Sequence, residues 1–278
     1  MEINKKVSEA LNSVREKTPL VHHITNYVTV NDCANITLAI GGSPVMADDI
    51  NEVRDMVSLA SAFVINIGTL NSRTVEAMVE GGKKANELNI PVVLDPVGAG
   101  ATAYRTEVAK RILDEVKLSV VRGNLSEIKT LYGIETQTKG VDSGETIDEN
   151  ADKFTIAKEV AKNFAKKLNT VVAITGAVDI ITDGDTLYTA HNGHKIMAKI
   201  TGTGCMCTSL IGSYLGAADS ALIAALAGIT SMSIAGEVAY ENLDKNNEGT
   251  GTLKSRIIDG IYNLNENVIV ERGRINEE

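Results

Sequence analysis

The chain has 278 residues, 44% of them hydrophobic and 23% charged, enough for one large core or two small ones. Its 27 basic residues face 36 acidic ones, a formal charge of −9, and that balance argues against nucleic acid or an anionic membrane as partner. Three cysteines (Cys33, Cys205 and Cys207) make no disulfide framework, which fits a reducing cytoplasm.

The first segment, MEINKKVSEALNSVREK, reads as an amphipathic helix with Ile3, Val7, Ala10, Leu11 and Val14 on one side. It has no uninterrupted apolar run of the signal-peptide kind. VHHITNYVTVNDCAN follows, and its His22-His23 pair is most simply packing or polar lining. Short apolar runs then recur: PVMA (44–47), AFVINIG (62–68), PVVLDP (91–96), LSVVRG (118–123) and TVVAITG (170–176). Each reads as a buried strand. Helical periodicity fills the intervals near 49–61, 72–88, 103–117, 125–132 and 151–168. Wholly apolar strands separated by helices predict a parallel sheet covered on both faces.

A polar stretch at 135–150 reads as a surface insertion. Residues 179–201 look like antiparallel strands, with Asp183-Gly184 as a turn signal. TGTGC (201–205) comes next, followed by three helical segments to the end. The longest apolar stretch starts at 221, is rich in small residues and contains Glu237, so a buried helix is expected rather than a membrane span. No repeat, linker or low-complexity tract divides the chain, and one α/β domain over 1–278 is expected.

In open α/β sheets, ligands sit beyond the carboxyl ends of the strands. Those ends here are Met46, Asn66-Ile67-Gly68, Asp95-Pro96, Arg122-Gly123-Asn124 and Thr175-Gly176. The mixture suits a small organic ligand beside a phosphate and a metal. Asn124 and Glu127 have capping-box spacing at a helix start. Glu127 could also order a hydrated Mg²⁺ with Asp95 as second carboxylate, because magnesium needs few acids when waters and phosphate oxygens complete its shell. Arg122 could neutralise phosphate charge.

TGTGC runs into an apolar helical segment, where unpaired N–H groups and the helix dipole favour an anion. Glycines there let the backbone approach a phosphate, or else let helices pack closely. The amides are also expected to lower the Cys205 thiol from its usual pKa of about 8.5, against the opposing charge of an incoming phosphate. GAGATA (98–103) matches a dinucleotide fingerprint, but Asp95-Pro96 intervenes and the next strand ends in Arg122. GTGTLKS (249–255) lacks the glycine before the lysine of a P-loop. His191 and His194 flank an Asn-Gly turn with no acid or cysteine at metal-ligand spacing.

With PLVHHITNYVTVNDCAN, SPVMA, LDPVGAG, VRGNLSEI, ITG and TGTGC in order, the chain resembles the hydroxyethylthiazole kinases of thiamine biosynthesis, in the ribokinase-like superfamily. The resemblance implies a three-layer α/β/α fold with a mostly parallel central sheet. It implies phosphorylation of 4-methyl-5-(2-hydroxyethyl)thiazole by ATP with Mg²⁺, in a cytoplasmic homotrimer with sites between subunits. Carried over by motif, Asn26, Met46, Gly68 and Gly202 would meet the thiazole, with Asn26 reaching it from its own or a neighbouring subunit. Arg122, Thr175 and Asn124 would meet ATP, and Asp95 and Glu127 the metal. Gly202, Thr203, Gly204 and Cys205 would cradle the transferred phosphoryl group. Sugar kinases of the superfamily carry aspartate at the Cys205 position. Pyridoxal or hydroxymethylpyrimidine kinase, NAD(P)H-hydrate dehydratase and a non-catalytic sensor are the competing readings, and the VHHITNYV segment argues against the other enzymes.

Overall fold

The computed structural model describes residues 2–133, 153–244 and 246–278. The expected insertion at 135–150 lies outside them. The first half alternates strand and helix: α1 (Glu2–Lys17), β1 (Leu20–Ile24), α2 (Val30–Ile40), β2 (Ser43–Val45), α3 (Val53–Leu59) and β3 (Ala62–Asn66). It continues through α4 (Ser72–Glu87), β4 (Val92–Asp95), α5 (Ala103–Glu115), β5 (Val120–Asn124) and α6 (Leu125–Tyr132). Next come α7 (Lys153–Leu168), β6 (Val171–Thr175), β7 (Asp179–Thr182), β8 (Leu187–Ala190) and a short 3₁₀ helix, Lys195–Lys199. The remaining elements are α8 (Thr203–Leu215), α9 (Ala221–Glu241), α10 (Thr250–Tyr262), α11 (Glu266–Arg272) and β9 (Ile275–Glu277).

The strands form one sheet in the order β2-β1-β3-β4-β5-β6-β7-β8-β9. β2 through β6 run parallel, and β7, β8 and β9 complete the sheet in antiparallel fashion. Alternate residues of the buried strands serve opposite faces. Val21, Val64, Val93 and Val120 pack with Met206, Leu210 and Tyr214 of α8. Phe63, Ile65, Leu94 and Val121 pack with Met78, Ile112 and Phe164 of α4, α5 and α7. This is the ribokinase-like three-layer arrangement. The apolar helix α9 is a core helix, with 78% of its most apolar window buried.

Several expectations change. β1 holds His22 and His23 and α2 begins at Val30, where neither element was expected from the periodicity. The helix expected over 49–61 is confined to α3. Antiparallel pairing ends at Ala190, and residues 195–199 turn into the 3₁₀ helix instead of a strand. Four helices and a strand, rather than three helical segments, follow Gly202.

Strand order reverses around β1, because β2 lies on one side of it and β3 on the other. The carboxyl ends of β1, β3, β4, β5 and β6 therefore open onto one rim at and beyond that switch point, where α/β sheets hold their ligands.

Candidate active site

Two cavities lie along this rim. The first, of about 500 Å³, is lined by Asn26, Gly68, Asp95, Arg122, Asn124, Glu127 and the 198–205 segment, among others. The second, of about 540 Å³, is lined by Thr175, Gly176, Asp179, Met197, Met232 and neighbours. Arg122, Ala198, Thr203 and Gly204 border both. Each volume suits a small organic ligand.

Asp95 is fully buried at the end of β4. Its Oδ2 accepts from Asn66 Nδ2 at 2.9 Å and from Thr208 Oγ1 at 2.8 Å, and Arg122 Nη1 stands 3.5 Å away. Its Oδ1 is buried with no partner. Burial pushes this carboxyl's pKa up, while Arg122, Thr208 and Asn66 favour its charge. Arg122 is desolvated, with a side chain 13% exposed, and its Nη2 donates to Thr175 Oγ1 at 2.6 Å. It links β4 to β6 across β5.

The capping box at the start of α6 is formed: Asn124 Oδ1 accepts from Glu127 N at 2.9 Å, and Glu127 Oε2 accepts from Asn124 N at 2.8 Å. Glu127 Oε1 also accepts from Gly98 N at 2.8 Å. The helix-capping carboxylate and the candidate magnesium ligand are thus the same group. Burial, and then the charge of Asp95, push its pKa up to about 7. Among the described residues no cluster of three or more His, Cys, Asp or Glu could enclose a metal. The donor set still fits Mg²⁺. It offers an orphaned buried oxygen on Asp95 and a second carboxylate in one cavity, and magnesium takes one or two carboxylates with phosphate and water.

Across the cavity, Met206 N donates to Gly202 O at 2.8 Å, the first bond of α8. Helix geometry leaves the N–H groups of Thr203, Gly204 and Cys205 without acceptors inside the helix. Gly202 has φ +90°, a left-handed conformation costly for other residues, and a Cβ there would meet Thr29 Cγ2 at 2.5 Å. A Cβ on Gly204 would come within 2.8 Å of Arg122 Nη1. Both glycines therefore serve close approach at the point where the cavities meet.

Cys205 departs from expectation. Burial, and then the Asp95 charge, push its pKa up to about 11, outweighing any help from the helix amides. It is a neutral thiol at pH 7, accepting a hydrogen bond from Asn26 Nδ2 at 3.3 Å. Cys207 faces the second cavity, and burial pushes its thiol up to about 12.

Asn26, Gly68, Asp95, Arg122, Asn124, Glu127 and the 202–205 loop are brought together within one chain. Thr175 adjoins them through Arg122. Met46 is not brought in; it is half-buried in the loop after the sheet-edge strand β2 and lines neither cavity. His22 Nε2 donates to Ala47 O at 2.7 Å and His23 Nδ1 to Val21 O at 3.0 Å, as structural lining. His191 bonds Thr189, and His194 stacks on Tyr240. Sequence reasoning assigned no role to Thr208, Asn66 or Asp179. Thr208 could have been found, since it lies one helical turn beyond Gly204 on the same face.

The description "Hydroxyethylthiazole kinase family" belongs to the family model that matches residues 11–267. A protein of Alkaliphilus oremlandii named hydroxyethylthiazole kinase is 58% identical over 277 residues, covering 100% of both chains. The solved hydroxyethylthiazole kinase of Pyrococcus horikoshii superposes with TM-score 0.87 at 41% identity, covering 98% of each chain. A Bacillus subtilis pyridoxal kinase, at 18% identity over 79% of this chain and 91% of its own, shares the fold with TM-score 0.57. With the motifs in order along its whole length and the rim they build, this chain belongs to the hydroxyethylthiazole kinase family.

Proposed function

We propose that the chain transfers the γ-phosphoryl group of ATP to the primary alcohol of 4-methyl-5-(2-hydroxyethyl)thiazole, a salvage step toward thiamine diphosphate. One observation carries the reading: two ligand-sized cavities meet at Arg122, Thr203 and Gly204, beside the open N–H groups of α8. In it, the thiazole alcohol occupies the first cavity against Asn26, Gly68 and Gly202. The nucleotide lies across the second, with Thr175 and Arg122 at its phosphates and Asn124 beside them. Asp95 and Glu127 would hold Mg²⁺, which supplies charge neutralisation to the phosphates.

The remaining work falls to this chain's own groups. Arg122 and the α8 amides are fixed before substrate arrives, so they cost little reorganisation as charge develops. Asn26 and the cradle orient the alcohol toward the phosphate. A thiol pushed up to about 11 is a poor base at neutral pH, so Cys205 lines the acceptor site and carries the Asn26 hydrogen bond. A loose phosphoryl transfer asks little of a base, which suits that assignment.

We also infer a cytoplasmic homotrimer. Met46 would reach a neighbouring copy's thiazole from across the subunit boundary, while Asn26 serves the site of its own chain. Support comes from exposed apolar Tyr27 and Val28 beside Asn26, from exposed Ile50 in the Met46 loop, and from three unpaired cysteines. ADP release should require both the thiazole alcohol and Mg²⁺; turnover with pyridoxal or hydroxymethylpyrimidine and none with the thiazole would sink the reading. Sedimentation should give a trimer, and Met46→Glu should damage assembly and activity together. An active monomer would remove the intersubunit site.

A further inference from the structure

Arg105 is the third residue of α5 and lines neither cavity. Its side chain reaches back to the two loops that form the rim. Nη1 donates to Ile67 O at 2.8 Å and to Val97 O at 2.7 Å, and Nη2 donates to Gly68 O at 2.8 Å. Ile67 and Gly68 leave β3, and Val97 leaves β4. One planar guanidinium therefore fixes the spacing of two strand-end loops, a task for which a lysine ammonium lacks the donor geometry.

Each of these bonds stops one or two residues short of a bond that orients a carboxylate. Next to Val97, the Gly98 N–H donates to Glu127 Oε1 at 2.8 Å. Gly68 N donates to Asn66 Oδ1 at 2.9 Å, and Asn66 Nδ2 donates in turn to Asp95 Oδ2. The start of α5 has anchors of its own. Gly100 N donates to Thr106 Oγ1 at 2.9 Å, and Thr102 Oγ1 caps α5 by accepting from Arg105 N. Removing the Arg105 side chain would free the rim without unseating the helix.

We propose that Arg105 is a positioning residue: it clamps the 67–69 and 96–98 loops together and, through Gly98 and Asn66, sets Glu127 and Asp95 for Mg²⁺ and the thiazole alcohol. The inference rests on the function proposed above. The experiment pairs amide hydrogen exchange of the ligand-free protein with steady-state kinetics, for Arg105→Ala and Arg105→Lys. Exchange should quicken in the two loops and stay at the wild-type rate in β5 and β6. The KM for thiazole alcohol and the half-saturating Mg²⁺ should rise about tenfold or more, since a misplacement of about 1 Å can cost a hundredfold. The KM for ATP, held by Arg122 and Thr175, should not follow. Arg105→Lys should recover part of the loss, and it carries the kinetics if Arg105→Ala does not fold.

Wild-type exchange in both loops would overturn the proposal. So would quickened loops with all constants unchanged, or faster exchange across the whole chain with no split between the constants. If the wild-type protein itself fails to phosphorylate the thiazole alcohol, the kinase reading falls, and loop exchange still decides whether the clamp exists.

Discussion

The two cavities are built from different kinds of backbone. The first stands on the ends of parallel strands, where β1, β3, β4 and β5 deliver Asn26, Gly68, Asp95 and Arg122 side by side. Its polar groups are tied to the chain around them: Asn66 and Thr208 on Asp95, Gly98 and Asn124 on Glu127. The second is made from the end of β6, the turn into β7, the 192–198 segment and α9. Its lining sets apolar Ala177, Met197, Ala198, Ile229 and Met232 among polar Asn192, His194, Lys195 and Ser233, with Asp179 as a buried acid. Phosphoryl transfer needs charges fixed before the reaction, and the parallel half supplies them. With the nucleotide placed as proposed, the shape and area that hold the rest of it would come from the antiparallel half and a core helix.

Arg122 is where that contrast is most easily broken, because it borders both cavities. In Arg122→Ala, loss of a charge-assisted phosphate contact should cost about 1.5–3 kcal/mol, about ten- to a hundredfold in kcat/KM for ATP. Thiazole affinity by calorimetry should change little. The variant should also melt lower, since Asp95 loses its cation in a buried site. Thiazole affinity lost with ATP affinity kept would mean that the occupants of the two cavities are reversed.

Cys205 tests whether the first cavity contains a base. With the thiol held neutral, Cys205→Ala should slow turnover by no more than about a hundredfold, the lower end of what a positioned base contributes. Cys205→Asp should stay active, because a carboxylate keeps an acceptor for Asn26 Nδ2 and ionises far more readily than this thiol. Steady-state kinetics with melting curves would check both. A folded but inert Cys205→Asp protein, or a phosphocysteine trapped by mass spectrometry, would make the thiol a nucleophile.

What could be read from the sequence follows the same divide. Apolar runs at 62–68, 91–96, 118–123 and 170–176 became β3, β4, β5 and β6 within a residue or two, so Asp95 and the Arg122-Gly123-Asn124 run fell at the carboxyl ends of strands as expected. β1 was hidden because His22 and His23 interrupt its apolar run, although both are buried in the sheet. α2 buries Asp32, Cys33, Ile36, Thr37 and Ile40, a helical spacing masked in the sequence by the polar Asp32 and Thr37 within it and by Asn31 and Asn35 beside it. The second cavity was harder still. Asp179 and Ser233 lie far apart in sequence, and only the packing of α9 on the sheet brings them together. The Cys205 thiol departs from the sequence expectation because helix amides can be read from a motif, whereas burial beside Asp95 depends on the whole fold.

Asp179 offers the finest test, in which turnover should hardly move. Its Oδ1 accepts from Gly176 N at 2.9 Å and its Oδ2 from Ser233 Oγ at 3.5 Å, a pattern asparagine can reproduce with its oxygen and its amide. Burial pushes the Asp179 carboxyl up from 3.8 to about 7, against Gly176, Arg122 and Ser233. A group with a raised folded pKa stabilises the fold fully below its unfolded value and loses that contribution as pH rises through the folded one. Wild-type stability should therefore carry a loss between about pH 4 and pH 7 that Asp179→Asn lacks. His23, lowered to about 4 chiefly by burial, acts in the opposite sense, but equally in both proteins, so their difference isolates Asp179. The two should melt together near pH 4. By pH 8 the variant should melt higher, by about 2–4 °C for each kcal/mol in a chain approaching this size. Parallel melting curves across that range would mean that Asp179 stays ionised throughout, with Arg122 outweighing its burial.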